Sequence, residues 1–226
     1  TVSRRGLIAG VAITLAGPLV LQVSASTSDN IPVSPDEALQ RLIDGNVRYV
    51  TNSSINTDHS AGRATRALGQ QPFAAIVSCA DSRVAPELIF DQGPGELFVV
   101  RVAGNFINED GLASLEYGAA ILGIKIIVVL GHTSCGAVDA AISSIQQNIL
   151  PPGHLPSLVN AIRPAVYDAM AGDPSDLLAA ATAQNATLAA EKAQTAAPIL
   201  SELNKAGHLK SAAAVYDIAT GKVDFL

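Results

Sequence analysis

Both cysteines of the chain stand among other reactive side chains. The first opens the segment Cys79-Ala80-Asp81-Ser82-Arg83, and the second lies in Gly131-His132-Thr133-Ser134-Cys135-Gly136. Two thiolates and an imidazole are soft to borderline donors that suit Zn2+, and three protein ligands with one exchangeable position is the pattern of a catalytic zinc site. His132 and Cys135 are three residues apart, so at a strand-to-helix turn their side chains can converge. A helix starting beside Cys135 would turn its positive dipole end toward a thiolate. Cys79 and His132 are 53 positions apart, unlike the close pairs of a structural finger or ribbon. Spacing leaves two other readings open, a Cys79–Cys135 disulfide or a pair of buried, inert thiols. Asp81 and Arg83 follow the first cysteine by two and four residues. As a surface ion pair they would contribute little. Beside a metal, the carboxylate held by Arg83 could accept a hydrogen bond from an activated water.

Such a site needs strands that end where these segments begin. Three apolar runs, Phe73 to Ser78, Leu97 to Val102 and Ile124 to Leu130, are rich in Val and Ile with little polar alternation. That continuity predicts strands buried on both faces of a parallel sheet. Open parallel sheets bind ligands beyond the carboxyl ends of their strands, where both cysteine segments fall. Gly111 to Leu122 places Leu112, Leu115, Ala119 and Leu122 on one helical face, a crossover between the second and third strands. Ser34-Pro35-Asp36-Glu37 reads as a helix start, with a capping serine, proline in the first turn and acids behind it. Thr51 to Gly62 reads as a polar loop. Helices are expected over Ala137 to Gln147, over Leu155 to Met170 around Pro164, and through the Ala-rich Asp176 to Lys205 with a break near Pro198. The last of these reads as packing and nothing more. Ser211 to Ile218 and Lys222 to Leu226 form a terminal hairpin. The expected fold is α/β, with a mostly parallel central sheet, an antiparallel last strand and flanking helices.

Cys79-x-Asp81-x-Arg83 followed by His132-x-x-Cys135-Gly136 resembles the paired signature of the β-class carbonic anhydrases. The likeness runs on through Gly69-Gln70-Gln71-Pro72, Phe98-Val99-Val100-Arg101-Val102-Ala103-Gly104-Asn105, Leu115-Glu116-Tyr117 and Val128-Val129-Leu130-Gly131-His132. It covers roughly Pro35 to Leu226 and weakens after Ile145. The resemblance implies reversible hydration of CO2 to bicarbonate and a proton, by attack of zinc-bound hydroxide. It implies zinc held by Cys79, His132 and Cys135, with Asp81 beside the metal, either paired with Arg83 or, in the family's closed form, bound to zinc. Gln70 would reach a neighbouring subunit's substrate cleft, and Phe98 and Tyr117 would be apolar cleft walls, so a homodimer or higher homo-oligomer is expected. Ile76 stands where regulated members carry Trp, which implies an open, unregulated site. Similar motifs also serve hydrolases of CO2 analogues such as CS2 or COS, and a non-catalytic exported protein with a Cys79–Cys135 disulfide is the remaining alternative. Two thiolates and a neutral imidazole leave zinc with no net first-shell charge, so water should be acidified less than at an all-histidine site and activity should rise into the alkaline range. His59, His154 and His208 read as solvated loop residues.

The whole-chain properties bound these readings. At 226 residues the chain is one domain's worth and long enough to bury a core without disulfides. A net charge of −6 with aromatics at only 4% argues against a nucleic-acid partner, which would need clustered Lys and Arg or a stacking platform. The mean hydropathy of +0.33 is high, and part of it sits at the N terminus. There Arg4-Arg5 precede an apolar stretch from Leu7 to Val23, broken by Gly10, Gly17 and Pro18 and closed by Val23-Ser24-Ala25. This resembles a twin-arginine export signal over residues 1–25, with a catalytic domain over 26–226 in an extracytoplasmic, periplasmic location and no membrane anchor once the signal is removed.

Overall fold

Ser34 starts the first helix as its place before Pro35 predicts. Its hydroxyl accepts from the Glu37 amide at 3.2 Å, while the Glu37 carboxylate accepts from the Ser34 amide at 2.9 Å, closing a capping box on α1 (Pro35–Val50). The computed structural model describes residues 34–60 and 62–226, so the expected export signal lies outside the described residues.

Five strands build one sheet in the order β2-β1-β3-β4-β5: β1 is Ala74–Ser78, β2 Leu97–Arg101, β3 Ile126–His132, β4 Lys210–Tyr216 and β5 Val223–Phe225. The first four run parallel, and β5 returns antiparallel against β4. The mostly parallel sheet with an antiparallel last strand is therefore as expected. Strand periodicity sends alternate residues to opposite faces. Ala74, Ile76, Ile126, Val128 and Leu130 pack on one face with Ala38 and Leu42 of α1. Ala75, Val77, Ile127 and Val129 pack on the other with α4 (Glu109–Ala120) and α7 (Leu177–Thr195).

One expectation fails at β2. β1 and β3 are buried throughout, but β2 is an edge strand in which only Leu97 is buried. An unbroken apolar run does not report a strand's place in the sheet order, and among the described residues β2 has a neighbour on one side only.

The remaining helices are α2 (Arg63–Arg66), α3 (Pro86–Ile89), α5 (Gly136–Gln147), α6 (Leu155–Ala171) and α8 (Ile199–Lys205). The two four-residue helices are too short for periodicity to reveal. α6 continues through Pro164, and the Ala-rich segment breaks at Pro198 as expected. α4 begins two residues earlier than its apolar face suggests, because the Asn108 side chain caps it by accepting from the Gly111 amide at 2.9 Å. Asn46 of α1 ties down the C-terminal hairpin: its amide donates to Ile89 O and Gly221 O, and its Oδ1 accepts from the Val223 amide at 2.9 Å. Gly45 beside it must lack a side chain, since a Cβ there would lie 1.8 Å from Phe90 O. Among the described residues no helix is long and apolar enough to cross a membrane.

Candidate metal centre

Cys79 follows directly on the last residue of β1, and β3 carries His132 two residues beyond Leu130, the partner of Ser78. The chain then turns through Ser134 in the left-handed region at φ 57°, which brings Cys135 back to the start of α5. The two sulfurs and a His132 ring nitrogen lie within 4.8 Å of one another, and all three residues are buried.

Hydrogen bonds prepare each donor. His132 Nδ1 lies 2.9 Å from Thr133 O, a carbonyl that can only accept, so Nδ1 carries the proton and Nε2 the lone pair. Nε2 is buried with no hydrogen-bond partner, a costly arrangement for a polar atom that binds nothing. Cys79 Sγ accepts from the Gly104 amide at 3.2 Å. The Cys135 thiol donating to this sulfur pulls the Cys79 thiol down to about 4 against the effect of burial, and His132 and the amides of Gly104 and Asp81 add to it. The same contact, reinforced by burial, pushes the Cys135 thiol up. Burial opposes protonation of His132, but Cys79, the Thr133 carbonyl and the Asp81 charge together raise it. Both cysteines are free, so the disulfide alternative does not hold. Two sulfurs and an imidazole lone pair converging in a buried pocket fit zinc, and Cys79, His132 and Cys135 would hold it.

Asp81 and Arg83 stand at the rim. Arg83 Nε donates to Asp81 Oδ1 at 3.0 Å, Arg83 Nη2 to Oδ2 at 2.7 Å, and the Arg83 amide to Oδ1 at 2.9 Å. This two-pronged grip holds the Asp81 carboxyl far below the usual carboxylate range, so it is ionised at any working pH. Asp81 Oδ2 is 4.0 Å from His132 Nε2, close to the donor cluster but turned toward Arg83. Ile76 is wholly buried in β1.

One contributor was not assigned from sequence. Arg101, at the end of β2, donates from Nε to Cys79 O at 3.0 Å and from Nη2 to Asp81 O at 2.7 Å, bracing the loop that carries both residues. Its signal is a lone charge within an otherwise apolar run.

Residues 74–223 match the family model described as carbonic anhydrase. The chain belongs to the carbonic anhydrase family. Carbonic anhydrase 2 of Mycobacterium tuberculosis is 47% identical over 137 residues, a stretch that is 59% of this chain and 65% of that protein. The carbonic anhydrase of Pseudomonas aeruginosa is 34% identical over 201 residues, 83% of this chain and 87% of that one. The fold matches that of the β-carbonic anhydrase CcaA with a TM-score of 0.64 at 29% identity, over 83% of this chain and 91% of CcaA. As in other carbonic anhydrases of the β class, zinc is the cofactor for which this donor set is built.

Not every site residue expected of a β-carbonic anhydrase comes to the cluster within one chain. Gln70 is exposed and precedes β1, at the opposite end of that strand from Cys79. Phe98 pairs with Ala75, four residues before Cys79 and so about 13 Å away along the strand. It lies beside Tyr117 of α4, ring centroids 6.5 Å apart, and Tyr117 is 49% exposed. His59, His154 and His208 are exposed, as expected.

Proposed function

We propose that this protein catalyses the reversible hydration of CO2 to bicarbonate and a proton. The observation that carries the reading is the buried convergence of Cys79, His132 and Cys135 beside an ionised Asp81. Zinc bound there supplies a Lewis acid that acidifies water, less strongly with two thiolate ligands than with three imidazoles. Asp81 accepts a hydrogen bond from the attacking water and turns its lone pair toward the carbon of CO2. Arg83 keeps that carboxylate charged and holds it back from the metal ligands. Arg101 fixes the loop carrying Cys79 and Asp81. The released proton passes to buffer.

Stopped-flow CO2 hydration on the zinc-loaded chain tests this directly. The rate should climb from pH 6 toward pH 9, because the acidification is modest and Asp81 is ionised throughout. A rate no greater than that of buffer, or a profile flat across this range, would defeat the reading.

The protein acts as a homodimer or a multiple of one. Gln70, Phe98 and Tyr117 lie away from their own chain's cluster, and the apolar edge of β2 has no partner among the described residues. A second copy would cover that edge and bring Gln70 and the two rings to a cleft between subunits. Sedimentation should give at least a dimer at assay concentration; a fully active monomer would refute this assembly.

Residues 1–25 direct export by the twin-arginine route, on the strength of Arg4-Arg5, the broken apolar stretch and Val23-Ser24-Ala25. Fused to a reporter, residues 1–30 should carry it out of the cytoplasm, and changing both arginines to lysine should stop that. Export that survives the change would sink the assignment.

A further inference from the structure

α7 has the composition of a packing helix, yet its buried face carries an amide. Asn185 is 4% exposed, among Ala181, Thr182, Ala186 and Ala189. Its Nδ2 donates to Gly104 O at 2.8 Å. Gly104 in turn donates its N–H to Cys79 Sγ at 3.2 Å. Gly104 is left-handed at φ 83°, and a Cβ there would lie 2.5 Å from Ile162 Cδ1 and 3.1 Å from Ala137 Cβ. The glycine is thus crowded by α5 and α6 on one side and tied to α7 by its carbonyl. The same helix closes over the neighbouring ligand strand, where a Cβ on Gly131 would lie 3.2 Å from Thr182 Cγ2.

An N–H donated to a thiolate draws charge from the sulfur and stabilises the anion. Hydrogen bonds of this kind behind a metal ligand set both its orientation and the charge it passes to the metal. We propose that Asn185 is a positioning residue of the metal centre: by holding the Gly104 carbonyl it keeps the Gly104 N–H on the Cys79 sulfur, and so limits how much charge that thiolate gives the metal. The inference rests on the metal-site reading above. It gives α7 a part in the chemistry although none of its side chains is a metal ligand.

The test uses the full chain loaded with cobalt(II), whose sulfur-to-metal charge-transfer absorption reports thiolate donation without any assay of turnover. Asn185→Leu keeps the side-chain volume and removes the donor, Asn185→Ala removes both, and Asn185→Gln keeps an amide. In the two donor-free variants the band should move to longer wavelength and a chelator should strip cobalt about tenfold faster. Asn185→Gln should move both back toward the wild-type values. A wild-type chain that takes up cobalt without a charge-transfer band overturns the metal-site reading and this inference with it. A wild-type band that stays unmoved in the donor-free variants, whatever their melting temperatures, overturns the inference alone. So does failure of both variants to fold, which makes Asn185 a packing residue.

Discussion

Cys135→Ala should leave a folded protein that no longer retains zinc and hydrates CO2 about a thousandfold more slowly. The Lewis acid supplies several kcal/mol of stabilisation, and each 1.36 kcal/mol is a factor of ten in rate, so a thousandfold corresponds to about 4 kcal/mol. Truncation removes one of three donors while leaving α5 and the packing of Val138, Ala141 and Ile142 in place. Zinc per chain after dialysis and stopped-flow hydration are the two readouts. A variant that keeps one zinc per chain and most of its rate would show that the cluster is not the active site. Zinc retention in the unmodified protein should also weaken in acid. The Cys135 thiol is pushed up by its contact with Cys79 and by burial, so it must lose a proton when metal binds, and lowering the pH returns that proton.

Arg83→Ala should cost about a hundredfold in kcat/KM with zinc still bound, a loss in the range of a mispositioned acid–base group. Arg83 grips both carboxylate oxygens of Asp81, while the Asp81 chain segment is anchored separately by Arg101. Without the guanidinium the carboxylate is released 4.0 Å from His132 Nε2, free to swing toward the metal ligands and occupy the place of water. Arg83 lowers the Asp81 pKa, so its removal raises it only toward the ordinary carboxylate range; Asp81 stays ionised from pH 6 to 9, and the loss is in rate without a shift of the profile. Asp81→Asn should lose a similar factor in rate. Arg83→Ala at wild-type rate would reduce the pair to a surface ion pair.

The parts of the molecule visible in the sequence are those where one property decides the structure. β1 and β3 are buried on both sides, and their unbroken runs of Ala, Ile, Val and Leu say so. The donors were readable because they lie at or just beyond the ends of such runs, where parallel sheets bind ligands. β2 is equally apolar yet lies at an edge, because composition registers a strand's apolarity and not its place in the sheet order. Arg101 and Asn185 were out of reach for another reason. Their hydrogen bonds join backbone atoms far away in sequence, and Asn185 sits 81 positions from the glycine it holds, inside a segment whose alanines speak only for close packing. Side-chain-to-carbonyl contacts of that span leave no period and no motif.

The hydrogen bonds around Thr133 tie the metal centre to the end of the chain. The Thr133 amide donates to Tyr216 O at 3.0 Å and its hydroxyl accepts from the Ile218 amide at 3.1 Å, while its carbonyl fixes the proton on His132. A ribosome therefore makes all three donors by residue 135, and the segment that locks the imidazole only some 80 residues later, with β4. Until then β3 is itself an open edge, and a nascent chain carries the donors without the frame that aims them. The frame around the metal centre is thus completed by the last strands of the chain, and not by the segments that carry its donors.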